Sequence, residues 1–379
     1  MGFFSTQNKE EMVAVLDVSS GSVTGALFLK NKKELPFVLA SVSRHIRVRD
    51  FVDAKRLQQE ITDLIDQVCT ELQKSTGARP SKIYCIMSTP WAHGELRNIH
   101  IKKEKEFQFT EIYAQKLISA EIEKVQKEIG ENTLVVDRKI IGASLNGYEV
   151  KSPHGQKTRE ATLNIFLSFA HIALLKSIED RIHKTFKSKI LFTSQMLADF
   201  IFTRDSFDPR DSFILNVGEE TTEIIFTKSS QMTGTAFFPY GKNNLVRNIA
   251  IKLGKTIPET ESLFKLYIEN SLDTKAEELV EKAIEFSVGM WQSSLKQVMV
   301  EVLPNRHLPH DIFLITGESH SSWLASKLRI AYFREFTTGH MDFSVIIPSI
   351  KTLHDFYDKS EYAKPNSNIL IKIIYLNQI

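Results

Sequence analysis

The 379-residue sequence predicts two related α/β domains facing each other across a cleft, the first carrying an α+β insert. Three observations predict it. A strand–turn–strand pattern at 13–29 returns at 213–227, 200 residues later. A third apolar strand, at 312–315, ends in a glycine turn and runs into a helix at 322–332. Between the first two patterns, from 80 to 190, lies a module of different texture: strand, helix, hairpin, strand, helix.

Composition sets the outer bounds. Apolar residues make 42% of the chain and charged residues 25%, which is globular usage. A net charge of +2 gives no electrostatic footprint for nucleic acid. The two cysteines, Cys69 and Cys85, are too few for a disulfide framework, so reduced thiols in a cytoplasmic protein are expected. No apolar run approaches a membrane span, and the start lacks the apolar core of a signal peptide. Gly2 and Thr6 match the loose acylation pattern, and Phe3-Phe4 is at most a weak membrane contact.

Along the chain, 13–18 and 22–29 read as a hairpin with Asp17 near the end of its first strand, and 37–42 extends it to a meander. Leu57, Ile61, Leu64, Ile65, Val68 and Leu72 recur at helical spacing over 53–75, and Gly77 to Pro80 stops that helix. In the module, 82–87 reads as a strand and 110–130 as a helix begun by Thr110 and ended by Gly130. Asn146-Gly147 marks a tight hairpin between 139 and 150; 161–169 is a strand and 173–186 a helix. The second strand–turn–strand follows, with Asn216 in the place Asp17 held. A helix is expected over 274–302, with Leu279, Ile284, Val288 and Leu295 in the core. Residues 364–368 read as a turn, and the apolar run 369–376, carrying a single Lys372, as the last buried element of the second domain.

Two small-residue hairpins aimed at one another make a phosphate clamp, since their backbone N–H groups approach an anion closely. The candidate nucleotide contacts are Asp17, Ser19, Ser20 and Gly21 on the first turn and Asn216, Gly218, Thr221 and Thr222 on the second. Gly317 and Glu318 form the third turn, placed to abut an adenosine at a helix start. Asp17 is the candidate Mg²⁺ ligand.

That set of three turns resembles the actin, heat-shock chaperone and sugar-kinase superfamily. The segment 235–250, with Pro239-Tyr240-Gly241, is similar to the one following the second clamp in the FtsA/PilM-like branch, FtsA being the nearer match. The insert, with its Asn146-Gly147-Tyr148 hairpin and Ser152-Pro153-His154-Gly155, looks like the SHS2 (1C) subdomain of that branch. The resemblance implies an actin-like (ribonuclease H-like) fold divided as 1–79 (1A, first part), 80–190 (1C), 191–240 (connecting helix and start of 2A), 241–303 (2B) and 304–379 (rest of 2A). It further implies a self-associating cytoplasmic adaptor that reaches the membrane only peripherally. Its partner would be the C-terminal peptide of FtsZ, bound by 2B, or, on a PilM-like reading, a cytoplasmic peptide of a single-span pilus inner-membrane protein.

The departures bear on ATP and Mg²⁺. Ser19 stands where the branch usually has Gly, and Glu219, Glu220 and Glu318 replace further turn glycines. A carboxylate 4 Å from a phosphate charge costs about 4 kcal/mol at an effective dielectric near 20, against roughly 1.5–3 kcal/mol for a hydrogen bond to a charged group. Weak or lost ATP use and no robust catalysis are therefore expected. Two other enzyme readings have less to carry them. A serine hydrolase would use Ser319 in Gly317-Glu318-Ser319-His320-Ser321, which lacks the final glycine of a nucleophile elbow. A sugar kinase needs a base that the sequence does not offer. His307 and His310 stand alone and make no metal site.

Overall fold

The computed structural model describes residues 10–209, 211–302, 309–328 and 343–379. The chain opens with an antiparallel meander, β1 (Glu11–Val18), β2 (Ser22–Lys30) and β3 (Phe37–His45). Helix α1 (Ala54–Thr76) then crosses over to β4 (Lys82–Met87), which pairs parallel to β1. Asp53 caps α1 by accepting from the Arg56 amide at 2.8 Å, and Gly77 ends it at φ 65°.

An antiparallel module is inserted here: β5 (Ala92–Gln108), α2 (Glu111–Ile129), β6 (Thr133–Leu145), β7 (Tyr148–Glu149) and β8 (Lys157–His171), in sheet order β5-β8-β6-β7. Its turn Asn146-Gly147 has φ 50° and 83°, the doubly left-handed geometry that suits a two-residue hairpin. Helix α2 covers the sheet, burying Val125 with Phe109, Leu163 and Leu167. The chain then returns through α3 (Ile172–Thr185) to β9 (Lys189–Ser194), parallel to β4, and on to α4 (Gln195–Phe207).

The opening topology now repeats. β10 (Ser212–Val217), β11 (Thr222–Lys228) and β12 (Gln231–Phe238) form a second meander. Three helices follow, α5 (Lys242–Leu253), α6 (Ile257–Ile268) and α7 (Thr274–Val302), before β13 (Asp311–Ile315) pairs parallel to β10. Helix α8 (Glu318–Leu328), β14 (Ser344–Ile346), the short α9 (Ile350–Leu353), β15 (Asp358–Lys359) and α10 (Ser367–Gln378) complete the chain.

Alternation along the central strands explains the layering. Ala14, Leu16 and Val18 of β1 pack on α1 and α3, with Ile61, Ile65 and Ile178. Val13 and Val15 face the other way, onto Phe200 of α4 and Ile371 of α10. The same core takes Ile214 of β10 and Phe313 of β13, so α4 and α10 lie between the two sheets. Phe213, Leu215 and Val217 point outward onto α5 and α7.

Four expectations need correction. The inserted module runs from 92 to 171 and not from 80 to 190, because β4, α3 and β9 are built into the first domain by parallel pairing with β1 and packing on α1. The apolar run 369–376 is buried, yet it is not the end of the second domain alone: α10 packs on α4 and the first sheet, and β15 pairs with β3. Leu279 is 57% exposed, whereas Ile284, Val288 and Leu295 are in the core as expected. β5 has no counterpart in the sequence reading, because its lysine- and glutamate-rich second half is largely exposed and carries no apolar alternation. Gly2, Thr6, Phe3-Phe4, His307 and the end of the helix expected over 322–332 lie outside the described residues.

Candidate functional site

The first turn is closed by the Ser19 amide donating to the Ser22 carbonyl at 3.0 Å, and the second by the Gly218 amide donating to the Thr221 carbonyl at 2.9 Å. The two turns face one another across a cleft of about 280 Å³. Asp17, Ser19, Asn216, Gly218 and Thr221 line it, and Gly317 and Glu318 close one side. The structure thus brings together seven of the ten candidate residues. The other three do not line it. Thr222 is fully buried, donates to the Tyr240 carbonyl at 2.6 Å and accepts from the Trp291 indole at 3.1 Å, which makes it a packing residue of the second domain. Ser20 accepts from the Glu220 amide at 3.0 Å. Gly21 lies against the Glu219 side chain, where a Cβ would come within 2.7 Å of it.

The two adjacent glutamates have opposite roles. Glu219 enters the clamp: the hydroxyls of Ser19 and Ser22 both donate to its carboxylate, the latter at 3.2 Å, and Lys242 stands 3.6 Å away. Burial alone would raise the Glu219 pKa, but Lys242, Ser19, its own amide and Ser22 more than offset it, so it falls below the ordinary glutamate range. Glu220 turns out of the cleft. Arg247 binds it with both guanidinium nitrogens, at 2.7 and 2.8 Å, and Asn243 donates to it at 2.8 Å. Glu318, on the third turn, accepts from the Ser367 amide at 3.1 Å and so ties that turn to the start of α10.

The deep end of the cleft is rich in acceptors. Asp17 is 6% exposed and its Oδ1 has no partner; burial pushes its carboxyl up to about 6, with Lys372 opposing and Asp199 and Glu219 adding to the rise. Glu223 accepts from the Thr89 amide at 2.7 Å and hydroxyl at 2.6 Å through one oxygen, while the other is unpartnered. Burial lifts it to about 7 against those two bonds. Gln195 Oε1 and Asn368 Oδ1 are likewise buried without partners, and both residues line the same cleft. Behind them, Asn216 donates to Asp199 at 2.6 Å, and the fully buried Lys372 ammonium donates to the other Asp199 oxygen.

These orphan oxygens test the cofactor expectation. Acceptors without donors suit a cation, so Asp17 keeps its candidate role toward Mg²⁺, whose chemistry would be to neutralise an anion beside it. Among the described residues, no three His, Cys, Asp or Glu side chains converge as a metal group. The phosphate end does not fit, since a triphosphate would have to displace Glu219 from Ser19, Ser22 and Lys242. Beside the clamp lies a second cavity of about 600 Å³, lined by Phe264, His320, Trp323 and the wall formed by Glu219 and Lys242. Phe264 stacks on His320 at 5.5 Å and meets Trp323 edge-on at 5.0 Å. Burial and Lys242 lower His320 to about 4, which keeps it neutral.

No family model matches the sequence, and no curated protein matches it. Among solved structures, the PilM-PilN type IV pilus biogenesis complex is similar over 98% of this chain and 98% of that one, with a TM-score of 0.62 and 12% identity. The fold is actin-like. Two further structures resemble it less closely. One is the ethanolamine utilization protein EutJ from Carboxydothermus hydrogenoformans, with TM-score 0.48, 10% identity and coverage of 98% and 90%. The other is a Bacteroides thetaiotaomicron protein of actin-like ATPase fold, with TM-score 0.42, 11% identity and coverage of 98% and 99%.

In this actin-like frame, the residues that sequence reasoning missed are partners of residues it named. Lys242, Arg247 and Asp199 hold Glu219, Glu220 and Asn216 respectively. Lys372 was visible as a single lysine in an apolar run, but Asp199 lies 173 residues away. The Ser319 side chain, on which a hydrolase reading turned, lies outside the described residues. Among those described, no helix is long and apolar enough to cross a membrane.

Proposed function

We propose that this chain is an actin-like adaptor at the inner face of the cell membrane, docking a cytoplasmic segment of a pilus inner-membrane protein and doing no robust catalysis. The observation that carries the reading is the likeness to the PilM-PilN complex along 98% of both chains, a span that takes in the inserted module. It favours the pilus reading over the division-ring reading. ATP and Mg²⁺ have at most a minor part in this proposal, because Glu219 fills the clamp that would hold the phosphates.

The test is a calorimetric titration of the full chain with a synthetic peptide. The peptide is the cytoplasmic N-terminus of a single-span pilus inner-membrane protein from the same organism, with the FtsZ C-terminal peptide as control. Binding of the pilus peptide alone supports the adaptor reading. Binding of the FtsZ peptide alone, or of neither, refutes it.

A further inference from the structure

We propose that the Glu219 carboxylate is an internal ligand of the anion clamp, and that by occupying it Glu219 holds the two domains closed without any nucleotide. This goes beyond the adaptor reading and does not depend on which partner the chain docks.

The clamp is a built anion site. Two neighbouring hydroxyls of the first turn, Ser19 and Ser22, donate one to each carboxylate oxygen, and the Lys242 ammonium supplies the countercharge. A carboxylate and a phosphate present the same chemistry to such a site: negative oxygens that accept from hydroxyls and an ammonium. The clamp is shaped to this occupant. A Cβ at Gly21 would lie 2.7 Å from both Cβ and Cγ of Glu219, so only glycine lets the side chain pass over the first turn. Glu219 belongs to the second domain and both serines to the first, so its binding is a domain contact.

Around it, further bonds join the same two domains, now with the second domain donating. The Glu220 amide donates to Ser20, the Thr221 hydroxyl to the Thr89 carbonyl at 2.9 Å, and Arg247 to the Arg49 carbonyl at 2.6 Å. Glu220 is spent on Arg247 and leaves Glu219 alone in the clamp, which separates two carboxylates that the sequence presents as equivalent.

The test uses the full chain and two probes, inorganic phosphate by calorimetry and amide hydrogen exchange at Thr89 and Glu220. Glu219→Ala empties the clamp and keeps the Cβ. It is expected to bind phosphate at least about tenfold more tightly than the natural chain, one charge-assisted hydrogen bond being worth that factor. Adding Lys242→Ala should abolish the gain. Exchange at Thr89 and Glu220 should speed up in Glu219→Ala and slow again when phosphate is added. Glu219→Gln, of equal size, serves if the alanine variant does not fold; with its Lys242 attraction gone, exchange at both amides should rise. Equal phosphate affinity of Glu219→Ala and the natural chain overturns the proposal. Unchanged exchange in both variants does so as well.

Discussion

Replacing Lys372 by methionine is the sharpest test of how α10 joins the two domains. The ammonium is fully buried, and Asp199, which it meets, has a side chain 1% exposed. Methionine fills a similar volume and removes only the charge. Asp199 then keeps the Asn216 amide at 2.6 Å and loses its countercharge in a site that water does not reach. Removing one partner of a buried pair costs about 3–5 kcal/mol, a large share of the roughly 5–15 kcal/mol that holds a domain folded. The double variant Lys372→Met/Asp199→Asn removes both charges and keeps an acceptor for Asn216, so it should recover most of that loss. Urea unfolding followed by fluorescence of the three tryptophans measures all four corners of the cycle. A cost below about 1 kcal/mol for Lys372→Met, the worth of an exposed pair, would refute the burial argument.

Three further outcomes follow from the same geometry. Arg247→Ala should destabilise by about 2–4 kcal/mol by stranding Glu220 with only Asn243, and Arg247→Lys should rescue less than half, since a lysine cannot make the two parallel bonds; thermal unfolding compares them. Thr222→Val should cost about 1–3 kcal/mol through the unpaired Trp291 indole and Tyr240 carbonyl, while leaving phosphate affinity in the Glu219→Ala background unchanged, which separates packing from anion contact. Glu223 sits at about 7 when folded against its usual 4.5, so the folded state binds its proton more tightly. The stability this group contributes is complete below the unfolded value and is lost as pH rises through about 7. Glu223→Gln should therefore raise the unfolding midpoint at pH 8 and change it little at pH 4.5, with chelator present throughout.

What the sequence disclosed of this fold was what neighbouring residues encode. The paired hairpins, the Asn146-Gly147 turn and the 29-residue α7 each carry their own periodicity or turn chemistry, and each stands where the pattern put it. Domain limits were less legible, because whether β4 and β9 belong to the insert or to the first sheet is decided by pairing with β1 across the chain. The clamp shows the same division. Its residue types were readable, and so was the conflict between carboxylates and phosphate. That Glu219 turns inward and Glu220 outward depends on Arg247, 27 residues on, and no local rule predicts which of two adjacent glutamates an arginine will claim. Thr222 was misplaced for a similar reason: threonine serves a phosphate turn and a buried strand equally well until Trp291 is known to lie above it.

The return of α10 to the first sheet also bears on how this protein comes into being. On the ribosome, β1 to β4 emerge first, with one apolar face of their sheet still bare. Helix α4 supplies part of its cover early, but the rest, residues 367–378, follows only after the whole second domain has been made. At about 5–20 residues per second that face waits for tens of seconds, long enough to engage a chaperone or another nascent chain. The two halves are therefore not separable parts. Expressed alone, residues 10–207 should be insoluble, and supplying 211–379 in the same cell should restore them.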